Sequence, residues 1–308
     1  MNLHGLHHVT AITARARENH DFYTRTLGMR LVKKTVNQDD VSAYHLFYAD
    51  GAGTPGTDLT FFDWPAAPEQ RGTNSIVRTG LRVGSPETLE WWHQRLRATA
   101  LISERDGRPV LDFEDSEGQR LSLVVDDEPA SAMWERSSVP PQHQIRGLGP
   151  VVLSVRKLAS TDRILRELLG FELAHTYAWS GRETNVYRCG GKDGAAREIH
   201  VLAEPDAAAA RQGAGGVHHL ALRTKHSDYD LWARRLAESG VPNSGPVDRF
   251  WFRSLYFRDP NGILFEIATD EPGFATDEPI DKLGETLSLP PFLEPRRREI
   301  EAGLKPLA

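Results

Sequence analysis

The sequence predicts an α+β chain built from four βαβββ units in tandem. Two observations point there. Long segments repeat along the chain, and each repeat passes from a short strand through an amphipathic helix into further strands. A third observation divides the units into pairs: the Pro- and Ser-rich stretch DEPASAMWERSSVPPQHQ reads as a boundary.

Taken in order, GLHHVTAITARARENHDFYTRTLGMRLVKKT, from Gly5, matches GLGPVVLSVRKLASTDRILRELLGFELAHT, from Gly147. In both, a Leu-Gly pair (Leu27-Gly28 and Leu169-Gly170) ends the helix, because glycine adopts positive φ at the position after a helix at little cost. GTNSIVRTGLRVGSPETLEWWHQRLRATAL, from Gly72, matches GAGGVHHLALRTKHSDYDLWARRLAESGVP, from Gly213. Each gives a strand and a tryptophan-bearing helix, and each leads to a strand before acidic text, GQRLSLVVDDEP and GILFEIATDEP. The units run roughly over 6–64, 73–128, 148–204 and 215–271. The expected organisation is a first domain over 1–131, a linker over 132–147, a second domain over 148–271 and an arm over 272–308. The arm carries one short helix, near Pro295 to Leu304.

The composition, 39% hydrophobic and 26% charged, suffices for a buried core. A formal charge of −6 argues against a nucleic-acid partner, which favours a basic stripe. No apolar run is long enough for a membrane helix, and MNLHGLHHVT lacks the pattern of a secretory signal. With one cysteine, Cys189, no intrachain disulfide forms; a cytoplasmic location and a structural thiol are expected. The arm could cover a pocket or a neighbouring subunit, so a homo-oligomer is compatible with it.

Twelve histidines make any single one uninformative. Two doublets stand out, LHHVTAI in the first unit and VHHLALR in the fourth, at matching places. The intervening units carry Arg78 and Pro150 there, so the scaffold itself does not demand histidine. Successive strand residues face opposite ways, so one member of each doublet is the ligand candidate; periodicity does not say which. The third candidate is Glu266 in GILFEIATDE, a carboxylate in an apolar strand, where burial is expensive without a partner or a metal. Ser122 takes the matching place in the second unit and Thr60 in the first. Two imidazoles and one carboxylate leave open positions on a metal, as non-heme Fe(II) oxygenases require, although Zn(II) accepts the same donors.

These residues and the four-unit pattern resemble the vicinal oxygen chelate superfamily, which includes glyoxalase I, bleomycin-resistance proteins and extradiol dioxygenases. The stretches LHHVTAIT, FYTRTLGMRLVKKTVN, YHLFYADGAGTPGTDLTFFDWP, VHHLAL and GILFEIATDEPGF look like the hydroquinone-type ring-cleaving dioxygenases. The resemblance implies two glyoxalase-like domains forming open mixed-sheet barrels. It implies His8, His219 and Glu266 as ligands of Fe(II), with Mn(II), Zn(II) or Ni(II) as alternatives. It places His7, Thr10, His218, Arg249 and Tyr256 around the pocket, and a dihydroxylated aromatic compound and O₂ as reactants.

In that reading His218 or Tyr256 assists deprotonation of a ring hydroxyl, and a protonated His218 or the Arg249 guanidinium stabilises developing negative charge. Phe61, Phe62, Trp64, Phe250 and Trp251 are candidate pocket walls. One rival is a glyoxalase I-type isomerase, which usually has four protein ligands; Thr60 then stands where the fourth would be. The other is a non-catalytic binding protein of the resistance type, which generally lacks the triad. His200, in REIHVLAEP, is a further ligand candidate in the third unit.

Overall fold

The computed structural model describes residues 1–130, 132–191 and 194–307; the expected domain boundary at residue 131 and the chain end at 308 lie outside the described residues. The first unit contains β1 (Leu6–Thr13), helix α1 (Ala16–Asp21), β2 (Arg30–Asn37), β3 (Asp40–Ala49) and β4 (Asp58–Asp63). The second contains β5 (Ser75–Val83), α2 (Pro86–Leu96), β6 (Ser103–Arg105), β7 (Arg108–Glu114) and β8 (Arg120–Val125). The third contains β9 (Leu148–Val155), α3 (Leu158–Arg163), β10 (Glu172–Trp179), β11 (Arg182–Arg188) and β12 (Glu198–Ala203). The fourth contains β13 (Val217–Thr224), α4 (Tyr229–Glu238), β14 (Val247–Asp248), β15 (Arg253–Arg258) and β16 (Leu264–Thr269). The four repeated units are therefore present, in two glyoxalase-like domains of mixed sheets curled into open half-barrels.

Local chemistry sets the helix ends. The Ser85 hydroxyl caps α2 by accepting from the Thr88 amide, and Pro86 starts the helix where a missing N–H is harmless. After α1 and α3 the helix loosens into a π-turn, over Phe22–Thr26 and Ile164–Leu168, and Gly28 and Gly170 then take φ of 69° and 74° as expected. The helix tryptophans Trp92 and Trp232 are buried, which explains why both repeats carry one.

The sheets do not follow the order of the chain. One has the strand order β14-β15-β16-β13-β1-β4-β3-β2, joining the fourth unit to the first; the other, β10-β11-β12-β9-β5-β8-β7-β6, joins the third to the second. The seams are the antiparallel pairs β1–β13 and β5–β9. Within each unit the first and last strands run parallel, and their register defines equivalent positions. Thr60 lies opposite Thr10, Ser122 opposite Gly80, His200 opposite Val152 and Glu266 opposite Ala221. Two residues back from those partners stand His8, Arg78, Pro150 and His219, so the matches read from sequence hold at the level of the register.

The last segment lies along β2 as a strap. Lys34 bridges to Leu287, and Gly284 passes so close that a Cβ would stand 2.0 Å from the Leu31 carbonyl oxygen. Arg30 donates to the carbonyls of Ile280 and Leu283. Lys33, fully buried, donates to Asp277 at 2.8 Å, to Glu278 and to the Phe274 carbonyl. Helix α5 (Arg297–Gly303) closes the strap through Ile300.

Cys189 is buried, and burial pushes its thiol up to about 11, consistent with an inert packing residue. Among the described residues no helix is long and apolar enough to cross a membrane.

Candidate metal centre

The seam between β1 and β13 carries the site. His8 from the first unit, and His219 and Glu266 from the fourth, are all buried and converge there. His8 Nε2 stands 3.1 Å from Glu266 Oε2, His219 Nε2 stands 2.9 Å from it, and the two Nε2 atoms are 3.3 Å apart. One face of an octahedron with bonds of about 2.1 Å has edges of about 3.0 Å, so the three donors are spaced for a shared divalent ion.

The hydrogen bonding shows what the donors present to one another. His7 Nε2 lies 3.2 Å from the Thr269 carbonyl and donates to it, so the neutral His7 ring offers a lone pair at Nδ1. That atom is 2.9 Å from His8 Nδ1, which therefore carries the hydrogen and leaves the Nε2 lone pair facing inward. The second doublet repeats the contact, with His218 Nδ1 at 2.8 Å from His219 Nδ1. On Glu266, Ser254 donates to Oε1, while Oε2 is buried with no hydrogen bond. The inward lone pairs of His8 Nε2 and Glu266 Oε2 meet no donor and that of His219 Nε2 meets only the Thr10 hydroxyl, a costly crowding in a dry site that a cation resolves. His8, His219 and Glu266 thus fit a divalent metal on the chemistry of the donor set.

Burial, followed by the neighbouring imidazole, lowers His7 and His218 to about 3, and burial lowers His219.

A strict alternating strand would separate the members of a doublet. The β1–β13 register instead shifts between Leu6 and His8 and again between Thr10 and Ala11, where Val217 and His219 are the partners. Each shift leaves one residue extra, His7 on one strand and His218 on the other. A bulge turns two consecutive side chains toward the same side, which is how each ligand meets its own neighbour. His7→Phe, which keeps the ring but deletes the acceptor, is expected to weaken metal affinity about 10- to 100-fold with the fold retained; a chelator competition titration measures it.

The other expected residues divide. Thr10 Oγ1 is 3.0 Å from His219 Nε2 and 2.8 Å from Thr60 Oγ1, so it touches the centre. Tyr256 pairs with Glu266 across β15–β16, and its ring stands edge-on to His219 at 5.8 Å. Arg249 Nε donates to the Tyr256 hydroxyl at 3.3 Å, and its Nη2 reaches Asp39 at 2.8 Å. His218 packs against His219, Phe62 and Trp64 and is not among the residues that line the cavity with Tyr256 and Arg249. Burial, followed by the neighbouring His219, disfavours the protonated form of His218.

Among the candidate walls, Phe62 and Trp251 line that cavity. Phe61 faces the opposite way, into the core against Tyr23, as alternation dictates. Trp64 stacks on Phe62, and Phe250 packs beside Trp251 without lining the cavity. Phe47, Phe252, His45, Asn37 and Gln38 also line it and were not singled out in the sequence. For His45 and Phe47 the signal was available in YHLFYA, where they alternate onto the face that Thr60 shares. His200 occupies the Glu266-equivalent position in the other sheet, but it bonds to Tyr177 and Glu198. Arg108 and Arg188 occupy both oxygens of Glu198, so that cluster is closed by ion pairs.

A two-imidazole, one-carboxylate centre across the seam of duplicated βαβββ units defines the class. The chain belongs to the Glyoxalase/Bleomycin resistance protein/Dioxygenase superfamily, whose model matches residues 5–123 and 147–267. Within it the chain is similar to "Putative ring-cleaving dioxygenase MhqA" of Bacillus subtilis, 47% identical with both chains covered completely. It is also similar to the chlorohydroquinone/hydroquinone 1,2-dioxygenase of Sphingobium indicum, 31% identical over 96% of this chain and 94% of that one. The crystal structure of a "putative dioxygenase" from Bacillus subtilis superposes with a TM-score of 0.92 at 36% identity, covering 99% of this chain and 97% of the other. Glyoxalase I from Zea mays shares the fold, with a TM-score of 0.64 at 13% identity over 86% and 92%. The full-length relatives are ring-cleaving dioxygenases, and this chain is an enzyme of that group.

Proposed function

We propose that the protein is an Fe(II)-dependent, extradiol-type dioxygenase that opens the ring of hydroquinone-like or other dihydroxylated aromatic compounds with O₂. The observation that carries this is the triad itself: three donors on one face, with an aromatic-walled cavity at its side. His8, His219 and Glu266 would hold the ion, and Thr60, a poor ligand, stands where a second carboxylate would close the site. When bound, Fe(II) would supply Lewis acidity and a path for electrons from the ring to O₂.

The chain supplies placement and electrostatics. Phe47, Phe62, Trp251 and Phe252 flank the ring and keep water out. Tyr256, beside His219 and bonded to Arg249, is the group placed to pass the proton of the ring hydroxyl. Its phenol stays protonated in the resting site, because burial and then Glu266 raise its pKa. The Arg249 guanidinium, which lines the cavity, favours negative charge on oxygens bound there. His7 fixes the tautomer of His8, and His218 Nδ1 offers His219 Nδ1 the matching partner.

Anaerobic purification and Fe(II) loading, followed by measurement of O₂ uptake with hydroquinone, catechol and the methylglyoxal–glutathione adduct, tests the reading. Uptake with aromatic diols alone is expected. Conversion of the adduct without O₂ would instead identify an isomerase, and the dioxygenase reading would be abandoned.

A further inference from the structure

We propose that His45 is a substrate-contacting residue, the acceptor for the ring hydroxyl that the metal centre does not hold. The inference rests on the diol-cleaving reading above and names the feature of the diol that the pocket reads.

His45 lies on β3 and lines the cavity together with His8, His219 and Tyr256. Its ring is gripped between Phe47 and Phe62, at centroid distances of 4.0 and 4.3 Å, so its orientation is fixed by packing. His45 Nε2 is 3.0 Å from Thr60 Oγ1. From there the bonds continue through Thr10 Oγ1, at 2.8 Å, to His219 Nε2, at 3.0 Å. Among the described residues, Nδ1 of His45 has no hydrogen-bond partner.

The chain of bonds has a direction. In the tautomer that can ligate a metal, His219 carries its hydrogen at Nδ1, facing His218 Nδ1 at 2.8 Å, and Nε2 then accepts from the Thr10 hydroxyl. Thr10 then accepts from Thr60, and Thr60 accepts from His45 Nε2–H. Binding of a metal removes only the last of these links. His45 is left with a lone pair at Nδ1, on a side chain that lines the cavity. Burial, then the neighbouring His8 and His219, disfavours the charged ring, which agrees with an acceptor.

An acceptor selects O–H over an ether or a carbonyl. A para-diol carries its hydroxyls at opposite ends of the ring, so one can meet the triad while the other meets a second polar group. His45 stands two hydroxyl bridges away from His219, on the first unit's side of the cavity. It is the position two residues before Phe47, which pairs with Thr60, as Ser254 is two before Tyr256, which pairs with Glu266. In the fourth unit Ser254 is consumed in orienting Glu266. In the first, Thr60 replaces the carboxylate, and one nitrogen of His45 is released for another partner.

The test is anaerobic calorimetry on the metal-loaded protein with hydroquinone and with 4-methoxyphenol, the same ring with one O–H replaced by O–CH₃. Wild type is expected to favour hydroquinone by about 10-fold or more, since a site that pairs with a hydroxyl discriminates against its absence. His45→Phe, which fills the same slot, is expected to bring the ratio to about 2-fold or less, with metal content unchanged. His45→Leu provides the same prediction in a different shape if the phenylalanine packs badly. His45→Asn, whose amide oxygen can replace the Nδ1 acceptor, is expected to recover part of the preference. An unchanged ratio in metal-loaded Phe and Leu variants overturns the proposal, as does a wild type that binds both compounds equally. Those outcomes leave the dioxygenase reading standing on O₂ uptake; a wild type that consumes no O₂ with any diol removes the reading itself.

Discussion

Glu266→Gln is expected to abolish metal binding and turnover while leaving the fold intact. Bound metal, measured by atomic emission after dialysis, should fall to background, and kcat should fall by about 1,000-fold or more, because the ion carries the reaction's charge stabilisation. The structure adds an expectation about stability. In wild type, Oε2 of Glu266 faces the lone pairs of His8 and His219 with no hydrogen bond of its own. A glutamine can keep its carbonyl oxygen toward Ser254 and turn its NH₂ group toward the imidazoles, giving His8 Nε2 the donor it lacks. The metal-free variant should therefore melt at or above metal-free wild type. Wild type alone should gain stability on adding Fe(II), by about 2.7 kcal/mol at 100 times the dissociation constant. Retention of wild-type metal content by the variant would refute the ligand assignment.

Lys33→Met is expected to be the most damaging single change away from the centre. Lys33 is fully buried and meets Asp277, Glu278 and the Phe274 carbonyl, with its ammonium 5.1 Å from the Trp251 ring centroid. Removing one partner of a buried ion pair strands the others, at a cost of about 3–5 kcal/mol. The loss should appear as a lower urea midpoint and as faster proteolysis of the strap. It should also reach the cavity, because Asp277 accepts from the Trp251 indole and Phe274 packs on Phe47 at 5.1 Å. KM should rise more than kcat falls. Acid should act in the same direction. Burial alone would raise the Asp277 carboxyl, but Lys33, Ser288 and Trp251 hold it below its ordinary value. A depressed folded-state pKa adds stability above the ordinary aspartate pKa of about 3.9, and that stability is lost as pH falls through the folded value. Strap proteolysis in wild type should accelerate in that acidic window. Equal strap proteolysis in Lys33→Met and wild type would show that the ion pair does not hold the arm.

Much of this was legible because duplication provides its own control. Gly28 and Gly170 mark the same helix stop, and His8, Arg78, Pro150 and His219 fall at one register position. The contrast between Glu266, Ser122 and Thr60 likewise survives into the register. What was not legible depends on pairing between distant strands. Alternation says that His7 and His8 diverge; the bulge that unites them is a property of β1 against β13 and has no local signature. Nor does repetition reveal that the first unit pairs with the fourth and the second with the third. The cavity walls were half legible for the same reason. Phe62 and Phe61 are adjacent aromatics on opposite faces, and only the completed sheet decides which face is the pocket.

The seam has a consequence for how the molecule comes into being. Residues 8 and 266 are brought together by strands from the two outermost units, so no nascent chain lacking its fourth unit can assemble the triad. During synthesis the early portion can fold helices and hairpins, yet capture of a metal at the triad must wait until β13 and β16 have emerged and docked. The triad is thereby withheld from any product that ends before β16.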